Sequence, residues 1–339
     1  MKNVFIGIDV GGTKICSALV SHDGQILAKE KSPTPRQATP RKVTAVILDQ
    51  LEEVLFKSKL TFRDIRGMGV AIPGLVDTKK GKVLNTPNMS LSGFMIVPEL
   101  ERKLKLKVAI GNDVNLGTLG EKWLGAAKGI KNVVGIFVGT GVGGGIILDD
   151  ILITGSHDAA GEIGHMTIDT KGPLCSCGNH GCLEAFAGRW AIERDIRQAV
   201  KKKKKTIMTK LCDGHLAVIK SKQLFKALSK KDRLITQIMK DASKKLGQAC
   251  VSLRHVFDPQ MIVLGGGVIE ACGNFILPIV RKTLFQDKLF LRMPTCRVVA
   301  SKLGDDAVIL GAVALVQQNL GINLFSVKAS YAKGKQSLR

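Results

Sequence analysis

Short apolar runs, each closed by glycine, proline or charge, recur along the chain. Residues 4–10 (VFIGIDV) predict a buried strand, Gly11–Lys14 a turn and Ile15–Val20 a second strand. His22-Asp23-Gly24 turns the chain into Gln25–Ala28, and Lys31–Arg41, with three prolines, reads as a loop. Val43, Val46, Ile47, Leu51, Val54 and Leu55 fall at helical spacing, and Met68–Ile72 is a short strand stopped by Pro73-Gly74. The opening then recurs. Val133–Val138 predicts a strand, 139–144 a glycine loop, Gly145–Leu148 a second strand and Asp149-Asp150 a turn, so VFIGIDVGGTKICSALV and VVGIFVGTGVGGGIILD read as two copies of one unit. Further on, Ile235–Phe257, Asn274–Leu284 and Ala307–Val316 predict helices, and Met261–Leu264 and Val298–Ala300 strands. Strands alternating with helices, interleaved with hairpins, make a mixed α/β protein.

Composition narrows this. At 339 residues and 45% apolar, the chain suits two domains with real cores and excludes disorder throughout. Its charge is 51 − 28 = +23, but 201–245 carries 15 basic against 3 acidic residues, or +12, and 319–339 adds +4. The remaining +7 describes a mildly basic fold with a basic segment and tail. The first apolar run is too short for a signal peptide, and the longest uncharged window, Asn132–Leu148, is too short and glycine-rich for a membrane span. Eight cysteines form no secreted framework, so a cytoplasmic protein without membrane contact is expected.

Several motifs carry chemistry. In Asp9-x-Gly11-Gly12-Thr13-Lys14, glycines let backbone N–H groups approach an anion, and the preceding carboxylate suits the water shell of Mg²⁺. An ordinary hairpin turn is the competing reading. Gly139-x-Gly141-x-x-Gly144 matches the dinucleotide pattern, but such a site needs a helix after the loop, and Gly145–Leu148 reads as a strand. Contact between phosphate and the loop amides fits better, with a structural bend as the alternative. Asp113, in Gly111-Asn112-Asp113-Val114-Asn115 between an apolar run and the predicted helix 116–124, is either an N-cap or a base accepting a hydroxyl proton.

Cys175-x-Cys177-Gly178-Asn179-His180-Gly181-Cys182 places three thiols within eight residues, a metal-knuckle pattern. Its fourth ligand is His180 or His165. The five other cysteines read as small core residues. Glu162 and Glu184 bracket the knuckle and suit a polyhydroxylated ligand.

Together these motifs resemble the ROK family of sugar kinases, transcriptional repressors and related open reading frames. The resemblance spans about residues 3–318. It is carried by DVGGTK (9–14), AIPGLVD (71–77), PN (87–88), GNDVN (111–115), GTGVGGGI (139–146), GEIGH (161–165), CSCGNHGCLE (175–184), VLGGGV (263–268) and LGDDAVILGA (303–312).

The resemblance implies a two-domain actin-like (ribonuclease H-like, hexokinase-type) fold with an interdomain cleft and a zinc-knuckle loop. Residues 1–112 plus 305–320 would form a small α/β domain, 113–304 a large one with the zinc loop 165–182, and 321–339 a basic tail. It implies phosphoryl transfer from ATP to a hexose, glucose giving glucose 6-phosphate. The alternatives are a kinase for N-acetylglucosamine, N-acetylmannosamine or fructose, or a sugar-responsive regulator. Repressor relatives carry a helix-turn-helix before the kinase-like part, for which the motif at Asp9 leaves no room. Polyphosphate is a further candidate donor.

By motif match, Asp113 would be the base. Asn88, Asn112, Asp113, Glu162, His165 and Glu184 would meet the sugar. Asp9, near Mg²⁺, and Gly11, Gly12, Thr13, Lys14, Gly139, Thr140, Gly141, Gly265 and Gly266 would serve the nucleotide. His165, Cys175, Cys177 and Cys182 would hold a structural zinc. For Lys14 a solvated position after the turn competes with a phosphate role. Family habit implies a homodimer, and nucleic acid is not an expected partner. Relatives often place a tryptophan soon after the Pro-Asn pair, where this chain has Met89-Ser90-Leu91-Ser92-Gly93-Phe94.

Overall fold

In the computed structural model, which describes residues 3–87, 89–291, 293 and 296–325, the apolar runs pair into two five-stranded sheets. The first contains β1 (Val4–Val10), β2 (Lys14–Ser21), β3 (Ile26–Pro33), β4 (Ile65–Ile72) and β7 (Val108–Asn112), in the order β3-β2-β1-β4-β7. Between β4 and β7 comes a small hairpin of β5 (Leu75–Asp77) and β6 (Lys82–Asn85). The second sheet contains β8 (Val133–Val138), β9 (Val142–Leu148), β10 (Ile151–Leu152), β11 (Met261–Gly265) and β12 (Arg297–Ala300), ordered β10-β9-β8-β11-β12.

The duplication read from the sequence extends to topology. In each sheet two antiparallel pairings on one side give way to two parallel ones on the other. Central strands such as β1 and β11 are buried along nearly their whole length, whereas the edge strand β3 alternates half-buried and exposed.

Helices α1 (Pro40–Ser58) and α2 (Ile96–Leu104) share one core with the first sheet. Helices α5 (Arg189–Lys201), α6 (Met208–Leu211), α7 (Ser221–Ser229), α8 (Arg233–Phe257) and α9 (Gly267–Phe285) share another with the second, alongside the short α4 (Glu184–Ala187). Between the sheets, α3 (Asp113–Trp123) packs on β8 and β9 and against α10 (Ala307–Asn319), which lies on β1 and β4. A third core, including Leu116, Leu119, Ile309 and Val313, fills that space.

The structure revises several boundaries. β3 runs to Pro33, through residues read as loop, and α9 begins at Gly267 and passes through Pro278. The second glycine loop is only 139–141, because β8 and β9 pair from Val138↔Val142 onward. Gly143, Gly144 and Gly145 belong to β9, and a Cβ on them would stand 2.5, 2.3 and 2.4 Å from the side chains of Val114, Ile163 and Thr118. That part of the glycine run serves close packing against α3 and its neighbours.

Candidate active site

The carboxyl ends of the parallel strands gather the predicted residues, where open α/β sheets present ligand sites. Asp9 lies opposite Ala71, which lies opposite Gly111, and Asn112 closes β7 beside Ile72. Of the two readings of Asp113, the cap belongs to its neighbour. Asn112 Oδ1 accepts from the N–H groups of Val114 and Asn115 at 2.9 and 3.0 Å, and its Nδ2 donates to the Gly74 carbonyl at 3.0 Å. Asp113, at the first helical position, shares the Val114 N–H, at 2.9 Å through Oδ1.

Asp9 and Asp113 are half-buried here, Glu162 is more open, and each lies within electrostatic reach of the next. Burial, opposed by the Val114 N–H and aided by the Glu162 carboxylate, pushes Asp113 up to about 6. Burial first and the Asp113 charge second push Asp9 up to about 7, against the pull of Lys14. Glu162 is raised by burial and by Glu184, with His165 opposing.

Two bare turns complete the donor side. The N–H of Gly11 closes its turn on Lys14 O at 2.9 Å. A Cβ on Gly12 or Gly139 would meet no protein atom within 4 Å, so open space lies over both turns. The second turn is braced from below, with the N–H groups of Arg189 and Trp190 donating to Gly139 O and Thr140 O, both at 3.1 Å. Arg189 Nη2 also donates to Thr140 Oγ1 at 2.8 Å. Among the described residues the N–H groups of Gly12, Thr13, Thr140 and Gly141 donate to nothing in the protein. Beside this turn Gly265 pairs with Phe137, and Gly266, at φ +85°, caps the N-terminus of α9. A Cβ on Gly266 would stand 2.7 Å from Val138 O. A long helix presents its positive end there. Lys14 reaches Asp305 at 2.7 Å, an ion pair that the motif alone does not reveal.

The knuckle is assembled as a four-ligand site. The donor atoms of His165, Cys175, Cys177 and Cys182 lie within 4.8 Å of one another. Cys177 Sγ to Cys182 Sγ and Cys175 Sγ to His165 Nδ1 are both 3.7 Å. Tetrahedral zinc with bonds of about 2.0–2.3 Å needs ligand edges of roughly 3.5–3.8 Å. The set therefore fits zinc, and 3.7 Å is far longer than a disulfide. His180 turns instead to the Gly172 carbonyl at 3.2 Å, and it is His165 whose ring nitrogen clusters with the three thiols. With Nδ1 on the thiols, His165 Nε2 points to Glu162 at 4.0 Å.

Glu184 is fully engaged within the protein. Its Oε2 accepts from Val142 N–H at 3.0 Å, and its Oε1 from Ser176 Oγ at 2.7 Å and Trp190 Nε1 at 3.1 Å. It thus ties the knuckle to the strand behind the second turn, a role the sequence reading did not assign. Ser176, Arg189, Trp190 and Asp305 were also missed, since no motif spacing singles out a brace. Asn88 and most of the basic tail lie outside the described residues, whereas Lys201–Lys205 form an exposed helix end and turn. The five cysteines outside the knuckle are all buried, and no described helix is long and apolar enough to cross a membrane.

The model of the ROK family matches residues 5–319. A glucokinase of Thermotoga maritima is 33% identical over 94% of this chain and 99% of its own. A xylose repressor of Caldicellulosiruptor bescii is 30% identical over 92% of this chain and 77% of its own. Among solved structures, a ROK family glucokinase from Streptomyces griseus, in complex with glucose and AMPPNP, superposes with a TM-score of 0.80 at 30% identity, covering 93% of this chain and 99% of the other. The architecture is the two-lobed actin-like one.

Proposed function

The chain belongs to the ROK family, and on that premise we propose that it transfers the γ-phosphoryl group of ATP to a hexose hydroxyl, the 6-OH of glucose. One observation carries the reading. A carboxylate poised at about 6, and released from capping duty by Asn112, stands at the sheet edge that also presents unpartnered backbone amides. The glucokinase relatives, one with a sugar and a nucleotide analogue bound, support the same chemistry.

In this reading the sugar lies against Asn88, Asn112, Glu162 and His165, groups that match hydroxyls able both to donate and to accept. Asp113 takes the hydroxyl proton as the sugar oxygen bonds to the γ-phosphorus and the bond to ADP breaks. At pH 7 most Asp113 is ionised, so it can serve as the base. The amides of Gly12, Thr13, Thr140 and Gly141 and the α9 terminus at Gly266 receive phosphate oxygens. Asp9 would hold Mg²⁺, which neutralises phosphate charge when bound. Zinc held by His165, Cys175, Cys177 and Cys182 would be structural, since four protein donors would leave no position open for chemistry. It would fix the His165 ring so that Nε2 meets the sugar. Glu184 acts behind this layer, holding Val142 and Ser176 in place. Residues 1–112 with 305–320 move as one lobe and 113–304 as the other, closing to exclude water.

The test is a panel of glucose, N-acetylglucosamine, N-acetylmannosamine, fructose and allose with ATP, read by sugar-dependent ADP release. Glucose is expected to give the highest kcat/KM. No turnover with any sugar would overturn the kinase reading.

A further inference from the structure

Residues 201–231 contain eleven lysines, no arginine and a single acid, Asp213. All eleven lysines are exposed. Elsewhere lysines find acids. Lys14 and Lys31 reach Asp305, Lys29 reaches Asp306, and Lys57 reaches Glu30. Among the described residues none of the eleven makes an ion pair. So many unpaired like charges repel one another and favour an anionic partner.

The same surface carries apolar side chains that packing leaves outside. Along α7, Leu224 and Ala227 are buried in the core of the second sheet, while Lys222, Phe225, Lys226 and Ser229 are exposed on the opposite face, with Lys230 at its cap. Lysines four apart on a helix are separated by about 6 Å, inside the screening length of about 8 Å, so they act as one field. Phe225 is 48% exposed among them, and Val218, just before the helix, is 63% exposed. Val218 is held there by its neighbours. Arg197 Nη1 donates to the carbonyls of Leu216 and Ala217 at 3.2 and 3.1 Å, and Ile219 N–H donates to Glu193 Oε1 at 3.2 Å. The backbone on both sides is thus pinned to α5, and the isopropyl group stands in solvent. At the other end Asp232 accepts from Thr206 Oγ1 at 2.8 Å and Ile207 N–H at 2.7 Å, which anchors the run 201–205 beside Lys230 and Lys231.

We propose that this face docks on an anionic phospholipid bilayer, with the lysines at the headgroups and Phe225 and Val218 at the acyl boundary. Basic charge and apolar side chains on one exposed face are what an interfacial surface requires. No described helix is long and apolar enough to cross a bilayer, so the contact is peripheral, and it revises the expectation of no membrane contact. A nucleic acid fits less well. Arginine forks and stacked rings serve that purpose, and 201–231 offers no arginine and one Phe, Tyr or Trp, Phe225. Val218 would have no counterpart on a phosphate backbone. The proposal does not depend on the chemistry assigned to the cleft.

Cosedimentation of the full chain with vesicles tests it, using phosphatidylcholine alone and phosphatidylcholine with about one third phosphatidylglycerol, over a salt series. Binding is expected only to the anionic vesicles and should weaken as salt rises. Each lysine near the surface contributes about fivefold, so Lys222→Ala/Lys226→Ala/Lys230→Ala should lower partitioning by about a hundredfold. Exposed Lys→Ala changes suit a helix, so Tm should hold. Val218→Ser/Phe225→Gln keeps the charge and should lower partitioning by about tenfold with the salt dependence unchanged. In a Phe225→Trp variant the added indole emission should shift to the blue on anionic vesicles, as the ring leaves water. Absent binding to anionic vesicles, equal binding to phosphatidylcholine alone, or binding indifferent to the lysine variant overturns the proposal. So does indifference to the apolar variant, or RNA or duplex DNA stripping the chain from the vesicles at equal phosphate concentration.

Discussion

Glu162→Gln is expected to move the acid limb of the pH–rate profile. Asp113 sits at about 6, raised by burial first and by the Glu162 charge as well. As a base it works only when ionised, so kcat/KM, which reports the free enzyme, must fall as pH drops through about 6. From that value about nine tenths of the plateau rate remains at pH 7, and about a tenth at pH 5. Replacing Glu162 by glutamine leaves the burial intact and removes the repulsion. Asp113 then ionises at lower pH, and the variant keeps a larger fraction of its plateau at pH 5. An amide still binds hydroxyls, so any change in sugar affinity appears in the height of the kcat/KM plateau and not in the position of the limb. Because Asp9 titrates nearby at about 7, the profile belongs to the pair and is fitted with coupled values. The assay is kcat/KM from about pH 4.5 to 8, whose limb belongs to the enzyme before substrate binds. A limb that stays in place, or shifts upward, would refute the electrostatic argument. A wild-type limb below pH 5 would refute the assignment of Asp113.

Asp113→Asn should lower kcat by about 10²–10⁴-fold while calorimetry still detects sugar binding. Asp9→Asn should abolish turnover yet raise thermal stability at pH 8. Its folded value, about 7, exceeds the unfolded 3.8, so ionisation destabilises the fold as pH rises through that window, and below about pH 4 wild type and variant should melt alike. Metal analysis should find about one zinc per chain, and Cys182→Ser should lower Tm by about 10 °C or more.

Much of this was legible because the carriers were local. Continuous apolar runs bounded by turns mark β1, β2 and β8, and the knuckle spacing marks three of four ligands. What escaped depends on residues distant in sequence. Asn112 and Asp113 are equally good caps by type, and only the chain path across Gly74 shows which one is occupied. The glycines at 143 and 144 look like loop but lie in β9 and accommodate side chains of Val114 and Ile163. His165 and His180 differ as ligands only once the loop has folded. Glu121, in α3, belongs to no motif. It is fully buried, accepting from Ser301 Oγ at 2.6 Å, Leu303 N–H at 2.8 Å and Ala126 N–H at 2.7 Å, and so fastens the segment before α10 to α3.

Glu184 has a foot in both halves of the chemistry, since one oxygen steadies the knuckle through Ser176 and the other steadies the strand leaving the Gly139–Gly141 turn. Damage to the knuckle therefore does not stay local. If the proposed function holds, loss of zinc should impair sugar capture and nucleotide use together, as though a single fuse had blown.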